Sequence, residues 1–152
     1  MIVDWNVISS VATAIGSIAT AFGVLFGAWQ IRISKKQAQA EFEDQIDQQY
    51  RAISMELPVD VLIGGVPSTE EASKVRELVY NYLDLSNEQV YLRAKDRVST
   101  HTWNSWCAGI KSHLDRPAFG SVFEEVKDKS GFTYLEQLVD TSYSSDPINW
   151  YK

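Results

Sequence analysis

Two histidines, one cysteine and a short run of basic residues are the side chains of this sequence best suited to chemistry. His101, Cys107 and His113 stand six residues apart. On a helix that interval turns each side chain about 120° from the next, whereas Cys and His ligands of a zinc ion must converge. No metal site is expected. The two histidines read as solvent-facing, and Cys107, set among tryptophans, reads as a small core hydrophobe. Arg93, Lys95, Arg97 and His101 form the one local basic cluster that contains a group titrating near neutral pH. An Arg/His pair held on a helix can cleave RNA by general acid-base catalysis. Gly64-Gly65-Val66-Pro67 lacks the lysine of a phosphate-cradling glycine loop, which argues against nucleotide hydrolysis. Asn87 beside Glu88 places an amide and a carboxylate in an otherwise apolar helix, where such a pair bonds the end of a neighbouring helix or lies at a subunit contact. No catalytic residue, cofactor or enzymatic activity is expected.

The elements that would position these groups follow a long apolar stretch. From Trp5 to Ile31 there is no charged residue, and about 20 apolar residues suffice to cross a hydrocarbon core of roughly 30 Å. Trp5 and Trp29 bracket the run where an interfacial aromatic belt belongs. A cleaved signal peptide carries a positive segment ahead of its apolar part, and here the only charge ahead is Asp4, so a retained span is expected. Arg32, Lys35 and Lys36 follow directly and no Lys or Arg precedes, which places the N-terminus outside and the remainder in the cytoplasm.

Residue sizes are sorted around this helix. At 100° per residue, Ile8, Val11, Ile15, Ile18, Phe22, Leu25, Phe26 and Trp29 gather on one face. Ser10, Thr13, Ser17 and Thr20 form a hydroxyl stripe almost opposite, with the 3-4-3 spacing of a heptad seam. Gly16, Gly23 and Gly27 lie on one flank between the stripes, and Ala14, Ala21 and Ala28 on the other. Small residues let helices approach closely in lipid, and Gly23-x-x-x-Gly27 is one form of that contact. The pattern predicts a homo-oligomer in which the hydroxyls line a pore or bond between helices. The alternative is a dimer, or a helix packed on another membrane protein, with the hydroxyls bonded back to their own carbonyls four residues earlier.

The layout expected is all-α: a short outer segment 1–6, a transmembrane helix 7–31, a juxtamembrane helix 32–57, a cytoplasmic helical bundle 58–141 and a tail 142–152. Apolar positions at Phe42, Ile46, Tyr50, Ile53 and Leu57 continue the first helix to Pro58, which ends it. Val59 to Ile63 reads as a strand or a buried loop closed by Gly64-Gly65. Ser68 and Glu71 make a capping box ahead of a helix with Val75, Leu78, Val79, Tyr82, Leu83 and Leu85 inward, running as far as Lys95. A further helix starts near Ser99 with Trp103, Trp106 and Ile110 on one side, and another starts at Pro117 with Phe119, Val122, Phe123 and Val126 inward. Gly131 separates these from a short last helix carrying Leu135 and Leu138. The net charge of −6 disfavours non-specific binding to nucleic acid, and no direct nucleic-acid partner is expected. A single cysteine forms no intrachain disulfide and suits a reducing compartment.

Tyr82-Leu83-Asp84-Leu85-Ser86-Asn87-Glu88-Gln89, Val98-Ser99, Trp103-x-x-Trp106-x-x-Gly109-Ile110 and Arg116-Pro117-Ala118-Phe119 resemble a widespread family of uncharacterised bacterial proteins with one N-terminal span and a helical domain behind it. The resemblance covers residues 70–125 and implies a fold without implying a reaction. In layout the chain is also similar to the membrane-anchored, HEPN-like accessory protein of type VI-B CRISPR loci, which implies assembly into a membrane pore and a role in antiviral defence. In the HEPN pattern, Arg97 stands too close to His101, and Arg93 too far, for the RNA-cleaving Arg/His pair. The function expected is that of a homo-oligomeric, pore-forming or membrane-perturbing effector of the bacterial inner membrane, with the bilayer, its own copies and a cytoplasmic defence-system protein as partners. A non-conducting anchored interaction module is the alternative, and a membrane-tethered ribonuclease the weaker one.

Overall fold

A computed structural model describes residues 5–151, with the side chains of Val7 and Ile8 left aside. Met1 to Asp4 of the expected outer segment, Ile8 of the bulky face and Lys152 of the tail thus fall outside the described residues. Among those described, all regular structure is helical, with no strand: α1 (Trp5–Glu56), α2 (Val59–Leu62), α3 (Ala72–Ala94), α4 (Thr100–Leu114), α5 (Pro117–Ser130), α6 (Thr133–Asp140) and a 3-10 turn (Pro147–Asn149). The chain divides into two compact units at Ala40/Glu41, so α1 contributes to both.

In the first unit α1 stands as a single helix. None of its described residues up to Ala40 is buried, and Phe22, Leu25 and Trp29 are each more than half exposed.

In the second unit α3 is the central element, packed by α4, α5, α6 and the 3-10 turn. Its buried positions include Val79, Leu83 and Val90, a spread around the helix that belongs to an element covered on several sides. The end of α1 joins the same core through Ile46, with Phe42, Tyr50 and Ile53 partly buried beside it. Two carboxylates on this part of α1 fasten α4. Glu43 accepts from the Ser99 backbone N–H at 2.6 Å and from the Thr102 hydroxyl, and Asp47 accepts from the Trp106 indole N–H at 2.8 Å. Ser99 is the N-cap of α4 and accepts from the Thr102 N–H at 3.2 Å, so Glu43 also lies at the favourable, positive end of that helix.

Pro58 stops α1, but the apolar run behind it is neither a strand nor a buried loop. It forms the single turn α2, which buries Val61 and leaves Val59 and Ile63 exposed. Five residues are too few for periodicity to separate these choices. The Ser68/Glu71 box closes, the Ser68 hydroxyl donating to the Glu71 carboxylate at 2.7 Å and accepting its N–H at 3.3 Å. It forms a turn just ahead of α3, which begins at Ala72. Pro117 opens α5, and Gly131 ends it at φ +69°, where a side chain would be strained.

Candidate functional site

The first candidate is the apolar helix. Each hydroxyl of the stripe donates to the carbonyl four residues earlier: Ser10 to Asn6 at 2.8 Å, Thr13 to Ser9, Ser17 to Thr13 and Thr20 to Gly16, the last three at 2.9 Å. Their donors are therefore satisfied within the helix, a state compatible with hydrocarbon, where an unbonded polar group is costly. A Cβ built on Gly16, Gly23 or Gly27 meets nothing within 4 Å, so nothing in this chain's own packing requires glycine there. Arg32, Lys35 and Lys36 follow on the same helix, all exposed.

The second candidate is a cavity of about 420 Å³ within the second unit, between the end of α1 and α4, with α3 at its base. Asp47, Tyr50 and Arg51 come from α1, Tyr82 and Gln89 from α3, and His101, Thr102, Ser105, Trp106, Gly109, Ile110 and His113 from α4. On α1 the i, i+3, i+4 spacing places three side chains on one face, and on α3 Tyr82 and Gln89 lie two turns apart. The volume falls within the range of small-molecule sites.

His113 is buried, at 7% exposure, contrary to the expected solvent-facing histidine. Its ring lies 4.8 Å from that of Tyr82 and 5.0 Å from that of Phe119. Nδ1 is 2.8 Å from the Gly109 carbonyl, an oxygen that only accepts, so Nδ1 carries the hydrogen and Nε2 is left as an acceptor. Burial holds the imidazole pKa below its ordinary value of 6.5. Burial likewise pushes the Tyr82 phenol well above its usual range. Gln89 is 5% exposed, and its carboxamide has no hydrogen-bond partner among the described residues. His101 is exposed on the cavity's rim, and Cys107 is half-buried rather than a core thiol, its pKa raised by burial.

The basic cluster separates. Arg93 is 3% exposed, and its guanidinium meets Asp146 through two nitrogens at 2.8 and 2.5 Å. It also donates to the Val98 carbonyl at 2.8 Å and to the Thr100 hydroxyl at 3.2 Å. These bonds leave no open face for catalysis with His101. They also dock the tail: Asp146 caps the 3-10 turn by accepting from the Ile148 N–H, and the Trp150 indole donates to Ser145. Asn87 accepts from the backbone N–H groups of Tyr134 and Leu135 at 3.1 Å, satisfying the first turn of α6 from a different helix, while Glu88 is exposed. Among the described residues no three His, Cys, Asp or Glu side chains gather as metal ligands.

No protein-family model, curated protein or solved structure matches the chain. Its class is defined by its own architecture: an all-helical protein with one N-terminal helix long and apolar enough to cross a membrane, continuing into a small helical domain.

Proposed function

We propose that the chain is a self-associating, single-span protein of the bacterial inner membrane, with its N-terminus outside and its helical domain held in the cytoplasm, and that it acts by assembly rather than by catalysis. One observation carries this reading: an 18-residue stretch of α1 with mean hydropathy 1.8 has none of its residues buried within the fold. A core helix of a water-soluble domain would be mostly covered, and an apolar surface of this extent in water would drive aggregation. Arg32, Lys35 and Lys36 support the orientation. Self-association is supported by glycines that this chain's own packing does not require.

The self-bonded hydroxyls favour helix packing over a water-filled lumen, so the assembly serves first as an anchored platform for a cytoplasmic partner. A pore is the second reading. It is favoured by the 3-4-3 spacing of Ser10, Thr13, Ser17 and Thr20, whose oxygens keep lone pairs for water. A ribonuclease is the weakest reading, because Arg93 is committed to Asp146. The test is particle mass in mild detergent. Wild-type protein is expected at a multiple of the 17.2 kDa chain, Gly23→Leu with Gly27→Leu at the monomer, and Phe22→Leu unchanged. A wild-type monomer, or a glycine variant of unaltered mass, would refute self-association through this flank.

A further inference from the structure

The cavity between α1 and α4 has features that the fold does not need. Gln89 is 5% exposed and its side-chain carboxamide makes no hydrogen bond among the described residues, so an amide donor and an amide acceptor stand open on the cavity wall. Its amide nitrogen and oxygen are open to solvent in the cavity and free to bond a molecule that enters. His113 adds a second acceptor through Nε2, since Nδ1 is committed to the Gly109 carbonyl. Gly109 is the next anomaly. Glycine weakens a helix interior, yet a Cβ there would meet nothing within 4 Å, so packing gives no reason for it. Its bare backbone keeps that wall of the cavity open. Tyr50, Tyr82 and Trp106 line the walls with aromatic rings, and Arg51 is exposed with no carboxylate partner among the described residues.

Each feature selects for a property of the ligand. Aromatic walls favour a flat, conjugated ring. A carboxamide with both functions open pairs side by side with an adjacent donor and acceptor on a heterocycle edge, as Gln and Asn do with adenine. The imidazole acceptor takes one further N–H, and a guanidinium suits a phosphate. Asp47, the carboxylate that also lines the cavity, accepts the Trp106 indole N–H through Oδ1 and keeps acceptor capacity for a hydroxyl such as that of a ribose. We infer that this cavity binds a mononucleotide, with its base between the aromatic walls and hydrogen-bonded to Gln89, and its phosphate on Arg51. This inference does not depend on the membrane reading.

The experiment is calorimetric titration of the full chain in detergent with the four common nucleoside 5′-monophosphates, the matching nucleosides and inorganic phosphate. At least one nucleotide is expected to bind, its nucleoside roughly tenfold more weakly, and phosphate alone not measurably. Arg51→Ala should reduce the nucleotide to its nucleoside's affinity and leave the nucleoside unaffected. Gln89→Leu should weaken both by roughly tenfold, and Gly109→Leu, which fills the cavity, should abolish both. Near-UV circular dichroism shows whether each variant is folded, and Gly109→Ala, expected to fold at least as well as wild type, serves as the milder block. The inference is overturned if no mononucleotide binds, if phosphate binds as tightly as the nucleotide, or if folded Gln89→Leu and Gly109→Ala proteins both bind as wild type does.

Discussion

Removing the Asp146 carboxylate while leaving Arg93 in place should cost the helical domain a large part of its stability. Arg93 is 3% exposed and makes four hydrogen bonds, two of them to this one carboxylate. In Asp146→Ala the guanidinium keeps Val98 and Thr100 but loses the charge that compensates its burial. Breaking a buried pair from one side costs about 3–5 kcal/mol. The Asp146 side chain is 30% exposed, so water already weakens the pair and the lower end, about 3 kcal/mol, applies. For a domain of this size that corresponds to a fall of roughly 10 °C in Tm. Arg93→Met leaves behind a carboxylate that can turn to water and should cost less, about 2 kcal/mol. The double variant should be more stable than the sum of the single losses by about 1–2 kcal/mol. Thermal unfolding of the full chain in detergent, followed by near-UV circular dichroism, measures all four proteins. Limited proteolysis should show the tail beyond Ser144 cleaved in both single variants. A coupling below about 0.5 kcal/mol, with the tail still protected, would refute the argument that this ion pair holds the tail to α3.

Other consequences are open to measurement. His113 is held below its ordinary pKa of 6.5 by burial, so the unfolded chain binds more protons than the folded one as pH falls through 6.5. Stability should be full above that pH and decline below it until the folded pKa is passed, and His113→Gln should flatten the slope; an unchanged slope counts against the assignment. Ser142 ends α6 in the left-handed region at φ +53°, its N–H bonded to the Val139 carbonyl at 2.8 Å. Ser142→Gly should therefore stabilise by about 0.5 kcal/mol, read from the same melting curves, and a loss would show that the turn is not strained. A Lys facing lipid at the bilayer centre costs a few kcal/mol, so Ile18→Lys should insert poorly, whereas Ser17→Lys should insert and, if the hydroxyls line a lumen, alter ion selectivity in planar bilayers. Equal failure of the two to insert, with no conductance, would eliminate the pore.

The helical class was legible wherever a long amphipathic period met a distinct stop signal. Ile46, Tyr50 and Ile53 up to Pro58, Trp103, Trp106 and Ile110 behind Ser99, and Pro117 through Gly131 all lie where spacing and capping chemistry placed them. What remained hidden depended on partners distant in sequence. Arg93 and Asp146 are 53 residues apart, and Glu43 and Ser99 are 56, so neither bond leaves a local pattern. Helical spacing shows which face His113 occupies, but not that Tyr50, Tyr82 and Phe119 from three other helices cover that face. The cavity was invisible for the same reason, being assembled from three helices. Its faint local signals were Gly109 inside a strong helix and Gln89 at an apolar position of α3.

Cross-linking inside the native membrane tests the central claim, self-association through the face of α1 opposite its bulky side chains. Cys107 is the only cysteine, so a Cys107→Ser background allows single thiols to be placed at will. Thr20→Cys lies on the hydroxyl stripe beside the glycine flank, and Phe22→Cys lies on the bulky face. Under mild oxidation the account predicts a disulfide-linked dimer of the chain for Thr20→Cys and little for Phe22→Cys, with the Thr20→Cys product lost when Gly23→Leu and Gly27→Leu are added. Equal cross-linking from both positions, or none from Thr20→Cys, would contradict it.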